Sequence, residues 1–245
     1  MLRGLYTAAT GMNLQLNRED AVANNLANIN TIGYKKDEVT SVSFHEELFL
    51  ALDKYGVTPI GRASLGVEVE EAYTHLTPGN YITTGNALDL SITGDGYFLV
   101  ESPSGRYLTR NGDFSKSVDG YLVTSEGDRV IGENGPVWLG NHQVNIGKDG
   151  TMVVDGQIAG RLLVVLPTDQ ASLVKEGSSR FRFAGGWTRD DNSQINQGEI
   201  ENSNVNPIEE MAKMIEVTRA YESNQKVIAV MDEVMNKIAN EIGRV

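Results

Sequence analysis

The sequence contains no cysteine, which excludes disulfides, iron–sulfur clusters and zinc–thiolate centres together. No apolar run approaches the roughly eighteen residues that a membrane span needs. The first thirty residues lack the apolar core and small-residue cleavage site of a secretory signal, so export would have to be uncleaved and carried by other machinery. Positive charge is scarce: 21 Lys and Arg against 33 Asp and Glu leave a net charge of -12, spread along the chain. That balance favours solubility and argues against a nucleic-acid partner.

Chemistry-bearing motifs are scarce as well. The three histidines, His45, His75 and His142, stand far apart, and HEELF at 45 lacks the second histidine that a helical zinc site requires. There is no GxSxG elbow, P-loop or GxGxxG fingerprint, and GDG at 94 reads as a hairpin turn because no helix signal follows it. The acidic stretch RDDNSQINQGEIEN at 189–202 places Ile195 where a calcium loop counted from Asp190 would need glycine. No paired carboxylates suggest a hydrolase, so no catalytic residue, cofactor or metal is expected.

What is present is pattern. The chain is 245 residues long and 40% hydrophobic, enough for one large or two smaller domains with a real core. At the N-terminus Leu2, Ala9, Leu16 and Ala23 recur every seven residues, with Leu5, Met12 and Leu26 at the offset position and Glu19 as the one lapse. This spacing predicts a helix of about 25 residues, some 40 Å long, with a narrow apolar stripe. At the C-terminus Met214, Tyr221, Ile228, Met235 and Ile242 keep the same period, with Val217, Met231 and Ile238 between them and Asn224 interrupting. A strict period of seven predicts supercoiling against other helices. Pro207 followed by Glu209 and Glu210 marks a helix start.

Between these ends the character changes. All six prolines and most of the 26 glycines fall in residues 34–207. Short Val, Ile, Tyr and Leu runs alternate with the turn signals GDG at 94, PSG at 103, RNGD at 110, VDG at 118, SEGD at 125, ENGP at 133, KDG at 148 and VDG at 154. They predict an antiparallel β domain, sandwich-like or barrel-like, with strands at 96–101, 106–109, 121–124, 151–154 and 161–166. FHEELFLAL at 44–52 has the pattern of a short amphipathic helix. The fold class is therefore mixed α and β: an N-terminal helical segment (1–36), a linker with partial structure (37–75), a β-rich domain (76–200) and a C-terminal helical segment (201–245), the helices packing as a coiled coil.

Asparagines cluster at the inner edge of each helical segment, in NNLANINTIGYKK at 24–36 and ENSNVNP at 201–207. Asparagine tolerates the left-handed conformation that ends helices, so the first cluster with Gly33 can terminate helix one, and Ser203 or Asn204 can organise the start of helix two. Burying a large apolar side chain contributes about 1.5–3 kcal/mol, so leaving half of about fifteen stripe residues bare would forfeit roughly 10–20 kcal/mol, comparable with the stability of a domain. The stripes therefore point to a subunit completed by its neighbours, with termini partly disordered before assembly. The expected interface comprises Leu2, Leu5, Ala9, Met12, Leu16 and Leu26, the joint Asn24, Asn25, Asn28 and Gly33, and Asn204, Met211, Met214, Tyr221, Ile228, Met231, Met235 and Ile238. A secreted β-rich binding module or adhesin with an oligomerising coiled coil is the alternative.

GLYTAATGM at 4–12, ANNLANINTIGYKK at 23–36 and IENSNVNPIEEMAKMIEVTRAYESNQKVI at 200–228, followed by Asp232, resemble the terminal motifs of the bacterial flagellar rod and hook family. PGNYITTGNALDLSITGDGYFLV at 78–100 and YLTRNGDFSKSVDGYLVTSEGDRVIG at 107–132 are similar to its central β domain. The resemblance covers nearly the whole chain. It implies a non-catalytic subunit that leaves through the flagellar type III export apparatus without signal cleavage. Such subunits stack with copies of themselves and other rod proteins in the basal body, in a rod around the export channel that carries torque. The short length, GRYLTRNGDF and VIGENGPV favour a proximal-rod member over a distal-rod one; hook proteins are longer.

Overall fold

The computed structural model describes residues 2–43, 46–53, 56–64, 66–140 and 142–242, without the side chains of residues 2, 46–64, 71, 171, 241 and 242. The chain divides into a helical unit, made of residues 1–27, 37–75 and 206–245, and a β unit, made of residues 28–36 and 76–205.

In the helical unit α1 (Leu2–Ala27) packs along α2 (Pro207–Ile242). The start of α2 is set by Asn206, whose Oδ1 accepts the Ile208 amide at 3.1 Å and whose carbonyl accepts the Glu210 amide at 3.0 Å. Pro207 occupies the first turn, where its missing N–H costs nothing, and Glu209 and Glu210 face the positive end of the helix. The cap is thus Asn206 rather than Ser203 or Asn204, because it immediately precedes the proline. At the far end of α1 no asparagine turns left-handed: among described non-glycine residues only Asp155 has positive φ. The turn after Ala27 closes through the Thr31 amide on the Asn28 carbonyl at 3.1 Å, and the left-handed position belongs to Gly33, φ 69°.

Within 37–75, the described strands form two antiparallel ladders. Strand β1 (Asp37–Ser43) precedes β2 (Glu46–Asp53), β3 (Gly56–Ser64) and β4 (Val67–Thr74); β1 pairs with β4, and β2 with β3. The helix expected at 44–52 is corrected to strand over 46–53, with residues 44 and 45 outside the described set. Cross-strand pairing of Leu52 with Val57 and Ala51 with Thr58, both β-branched partners, outweighs a helical apolar pattern too short to stand alone.

The β unit runs β5 (Tyr81–Thr83), β6 (Leu90–Thr93), β7 (Tyr97–Ser102), β8 (Gly105–Thr109), β9 (Phe114–Lys116), β10 (Leu122–Thr124), β11 (Arg129–Gly132) and β12 (Gly135–Pro136). It continues with β13 (Val144–Ile146), β14 (Thr151–Val154), β15 (Gln157–Arg161), β16 (Val164–Pro167), β17 (Leu173–Glu176), β18 (Arg180–Phe183), β19 (Trp187–Arg189), β20 (Gln194–Gln197) and β21 (Glu199–Glu201). The main sheet is antiparallel, in the order β17-β18-β8-β7-β11-β10-β9. Its central strand carries YFLV, which is buried on both faces: Phe98 and Val100 enter one hydrophobic cluster, Tyr97 and Leu99 the other. A continuous apolar run, rather than an alternating one, is what a strand with two covered faces requires.

Most turn signals act as expected: Gly94, Gly105, Gly120, Gly127, Gly135, Gly150 and Gly156 have positive φ, and Asp155–Gly156 supplies the two consecutive positive φ values of a tight hairpin. RNGD at 110 is different. Gly112 is not left-handed; a Cβ there would strike the Leu90 carbonyl, and the Gly112 carbonyl accepts the Leu90 amide at 2.9 Å. Its glycine serves close backbone approach. The strand expected at 161–166 is split between β15 and β16: Arg161 pairs with Thr151, the Leu162 amide still bonds the Gly150 carbonyl in that register, and from Val164, opposite Phe98, the chain belongs to the main sheet.

Candidate assembly interface

The contacts of the helical unit fix an antiparallel register. A Cβ on Gly4 would fall on the Met231 side chain, a Cβ on Gly11 would lie 3.0 Å from Asn224 Nδ2, and Asn25 Nδ2 donates to Glu210 Oε2 at 3.2 Å. The residue numbers in each pair total 235, so α1 is matched with α2 up to about residue 233. The missing side chains at Gly4 and Gly11 leave room on α1 for the Met231 and Asn224 side chains of α2. The last turns of α2, with Met235 and Ile238, run past the start of α1.

The stripes do not occupy equivalent positions. On α2 the seven-residue rows turn inward: Val217 is buried and Met214, Tyr221, Ile228, Met231 and Met235 are partly buried. On α1 the buried side chains are Ala8, Leu14, Val22 and Asn25 instead. Ala9, Leu16 and Ala23 of the expected stripe are exposed, Leu16 at 45%, while Leu5, Met12 and Leu26 are partly buried. Leu14 and Leu16 lie about 200° apart around a helix, so the N-terminal row points away from α2. Periodicity identified the row but not what covers it. The Leu2 side chain lies outside the described residues. Tyr6 on α1, and Ile208, Met211, Ile215, Val230 and Ile238 on α2, are also exposed, leaving both helices with bare apolar surface.

Where α1, β1 and α2 converge, Asn25 reads backbone: its Nδ2 donates to the Asp37 carbonyl at 2.9 Å and its Oδ1 accepts the Asp37 amide at 3.0 Å. Asn25 is therefore a structural residue of the chain itself. Asn24 is exposed and bonds back to the Asp20 carbonyl, and Asn28 accepts the Thr31 hydroxyl. Nearby, burial weighs against the Lys213 ammonium, but Glu210, Glu38 and Glu209 outweigh it and raise its pKa.

Inside the β unit the returning chain meets the outgoing one at a neck. The Gly33 amide donates to the Glu201 carbonyl at 2.8 Å, and Asn204 Oδ1 accepts the Lys36 amide at 2.8 Å while its Nδ2 donates to the Thr77 carbonyl at 3.1 Å. Beneath these bonds lie three buried ions: Lys35 and Glu201, both 0% exposed, and Arg110 at 3%. Glu201 accepts Lys35 Nζ at 2.5 Å, Arg110 Nη1 at 3.3 Å and the Gly79 amide at 3.1 Å. Burial pulls the Lys35 ammonium below its ordinary pKa, against Glu201, which favours the charged form. Lys175 Nζ donates to the Lys35 carbonyl at 2.6 Å and sits 3.6 Å from the Tyr34 ring centroid. Sequence reading missed Lys35, Arg110, Lys175 and Glu201. Lys35 and Glu201 are 166 positions apart, Arg110 and Glu201 are 91, and no local pattern joins them.

Of the described histidines, His75 pairs with Glu38 at 2.7 Å and His142 with Asp155, and no cluster of metal-ligating side chains occurs among the described residues. No described helix is long and apolar enough to cross a membrane.

Comparison with known proteins gives three family matches. Residues 5–35 match Flagella basal body rod protein, residues 91–155 the Flagellar hook protein FlgE/F/G D1 domain, and residues 196–241 Flagellar basal body rod FlgEFG protein C-terminal. Similar whole proteins include Flagellar basal-body rod protein FlgG of Agrobacterium fabrum, 33% identical over 98% of this chain and 100% of that protein. Flagellar basal-body rod protein FlgF of Caulobacter vibrioides is 32% identical over 95% of each. Flagellar hook-basal body complex protein FlhO of Bacillus subtilis is 28% identical over the full length of both.

Proposed function

Because the chain belongs to the flagellar basal-body rod protein family, we propose that it is a structural, non-catalytic subunit of the rod, stacking on copies of itself and on other rod proteins through its terminal helices. The observation that carries this is the two-sided character of α1: Ala8, Leu14 and Val22 are covered within the chain, while Ala9, Leu16 and Ala23 stay bare. A helix apolar on both sides is half satisfied by one partner helix and calls for a second from elsewhere. In the assembled rod the paired helices form a coiled-coil layer around the export channel, and the tube so built transmits torque across the periplasm. Export runs through the flagellar type III apparatus. FlgG and FlgF relatives stand at 33% and 32% identity, so a proximal, FlgF-like position rests on the short length, GRYLTRNGDF and VIGENGPV.

The cysteine-free chain offers a clean test. Leu16→Cys and Ile215→Cys placed singly and together, followed by oxidation of isolated basal bodies, should give ladders of cross-linked subunits for the pair. No cross-linking in basal bodies that contain the chain would refute the helical contact. A closed dimer in dilute solution, with no elongated species, would favour the binding-module alternative.

A further inference from the structure

We propose that the Lys35–Glu201–Arg110 cluster is a neck lock, which holds the outgoing segment 33–36 against the returning segment 201–204 independently of the two helices. The two connections then leave the β unit from one fixed place before any neighbouring subunit is present.

The contacts support this in three ways. Every bond described at the neck joins residues 33–36, 77–79, 110, 175 and 201–204, so the lock is complete inside the β unit. Both carboxylate oxygens of Glu201 are engaged, by an ammonium, a guanidinium and a backbone amide, and its main-chain carbonyl takes the Gly33 amide. The site also admits little else, since Gly33 is left-handed at φ 69° and a Cβ there would meet the backbone of Arg110 and Asn111. An apolar side chain at position 35 could be buried in many arrangements. A lysine ammonium is satisfied in one, so buried ions here enforce which segments pair, and in what register, more than they add net stability.

The test is amide exchange in the full-length monomer, read residue by residue. The amides of Gly33 and Lys36, and that of Asn204, which donates to the Tyr34 carbonyl at 3.4 Å, should exchange about a hundredfold more slowly than those of α1 and α2. Glu201→Gln should speed the neck amides about tenfold or more while amides in β7 keep their protection, and should lower incorporation into rods. If Glu201→Gln does not fold, Lys35→Met gives the same readout at Gly33 and Lys36, because Glu201 keeps Arg110 and Gly79. Neck amides exchanging at helix rates in the unaltered chain would overturn the lock. So would a variant that loosens neck and β7 equally, or neither. Incorporation alone rests on the rod reading: a loosened neck with normal incorporation overturns the positioning role. If even the unaltered chain is absent from rods, that reading falls while amide protection still decides the lock.

Discussion

Leu16→Asp and Val22→Asp place the same charge on the same helix with opposite consequences. Leu16 is 45% exposed. Complete burial of a leucine contributes about 1.5–3 kcal/mol, so roughly 1 kcal/mol per subunit is still to be gained when a neighbour covers it. Aspartate forfeits that gain and puts an unpaired carboxylate into the contact, a cost of at least about 2 kcal/mol. At 1.4 kcal/mol per tenfold, the weakening of each contact is about a hundredfold. The free chain should lose less than it does with Val22→Asp: the covered half of Leu16 is worth about 1 kcal/mol and the change in helix propensity at most about 0.7 kcal/mol. Val22 is 7% exposed and lies where α1 faces α2, so Val22→Asp should lower the helix content of the free chain first. Circular dichroism of purified monomer, with counts of subunits in isolated basal bodies, separates the two. Normal rods built from Leu16→Asp, or equal loss of monomer helix in both variants, would refute the two-faced reading of α1.

Other expectations follow from single contacts. Asn206→Ala should cost about 1 kcal/mol of helix stability, measured as earlier thermal fraying of α2, whereas Ser203→Ala should leave α2 unchanged. Gly112→Ala should destabilise the β unit by about 2 kcal/mol or more in urea denaturation, because its methyl would meet the Leu90 carbonyl, which belongs to a paired strand. Burial raises the Tyr97 phenol above its ordinary value of 10.0. The sign follows from proton binding: the folded state holds the proton more tightly, so this contribution is intact below pH 10 and is lost as pH rises through the folded value. Alkaline titration followed by tyrosinate absorbance should show Tyr97 ionising late and together with unfolding, beside the more exposed Tyr81, which burial also raises; a titration that ended before any unfolding would contradict it.

The parts legible in the sequence are those governed by short-range rules. Seven-residue rows gave two helices, Asp-Gly and Asn-Gly signals gave most of the turns, and YFLV marked a strand covered on both faces. Where residues far apart decide, local pattern was silent. The rows could not say that Leu16 faces away from α2, because a stripe records that something covers it and not what. Gly112 looked like a turn because its type is the same whether φ or space demands it. The stretch at 46–53 became strand through a partner at 56–64. The neck ions had no local sign at all, since charge at positions 35, 110 and 201 ordinarily means solvent.

The Asp155–Gly156 turn, with nothing near Gly156 for an added side chain to meet, has a practical consequence. A loop tip of this kind accepts inserted sequence with little entropic cost, and the neck lies elsewhere in the β unit. An epitope or compact fluorescent reporter grafted there would leave the two termini untouched. It would serve as a landmark for finding this subunit in images of intact basal bodies.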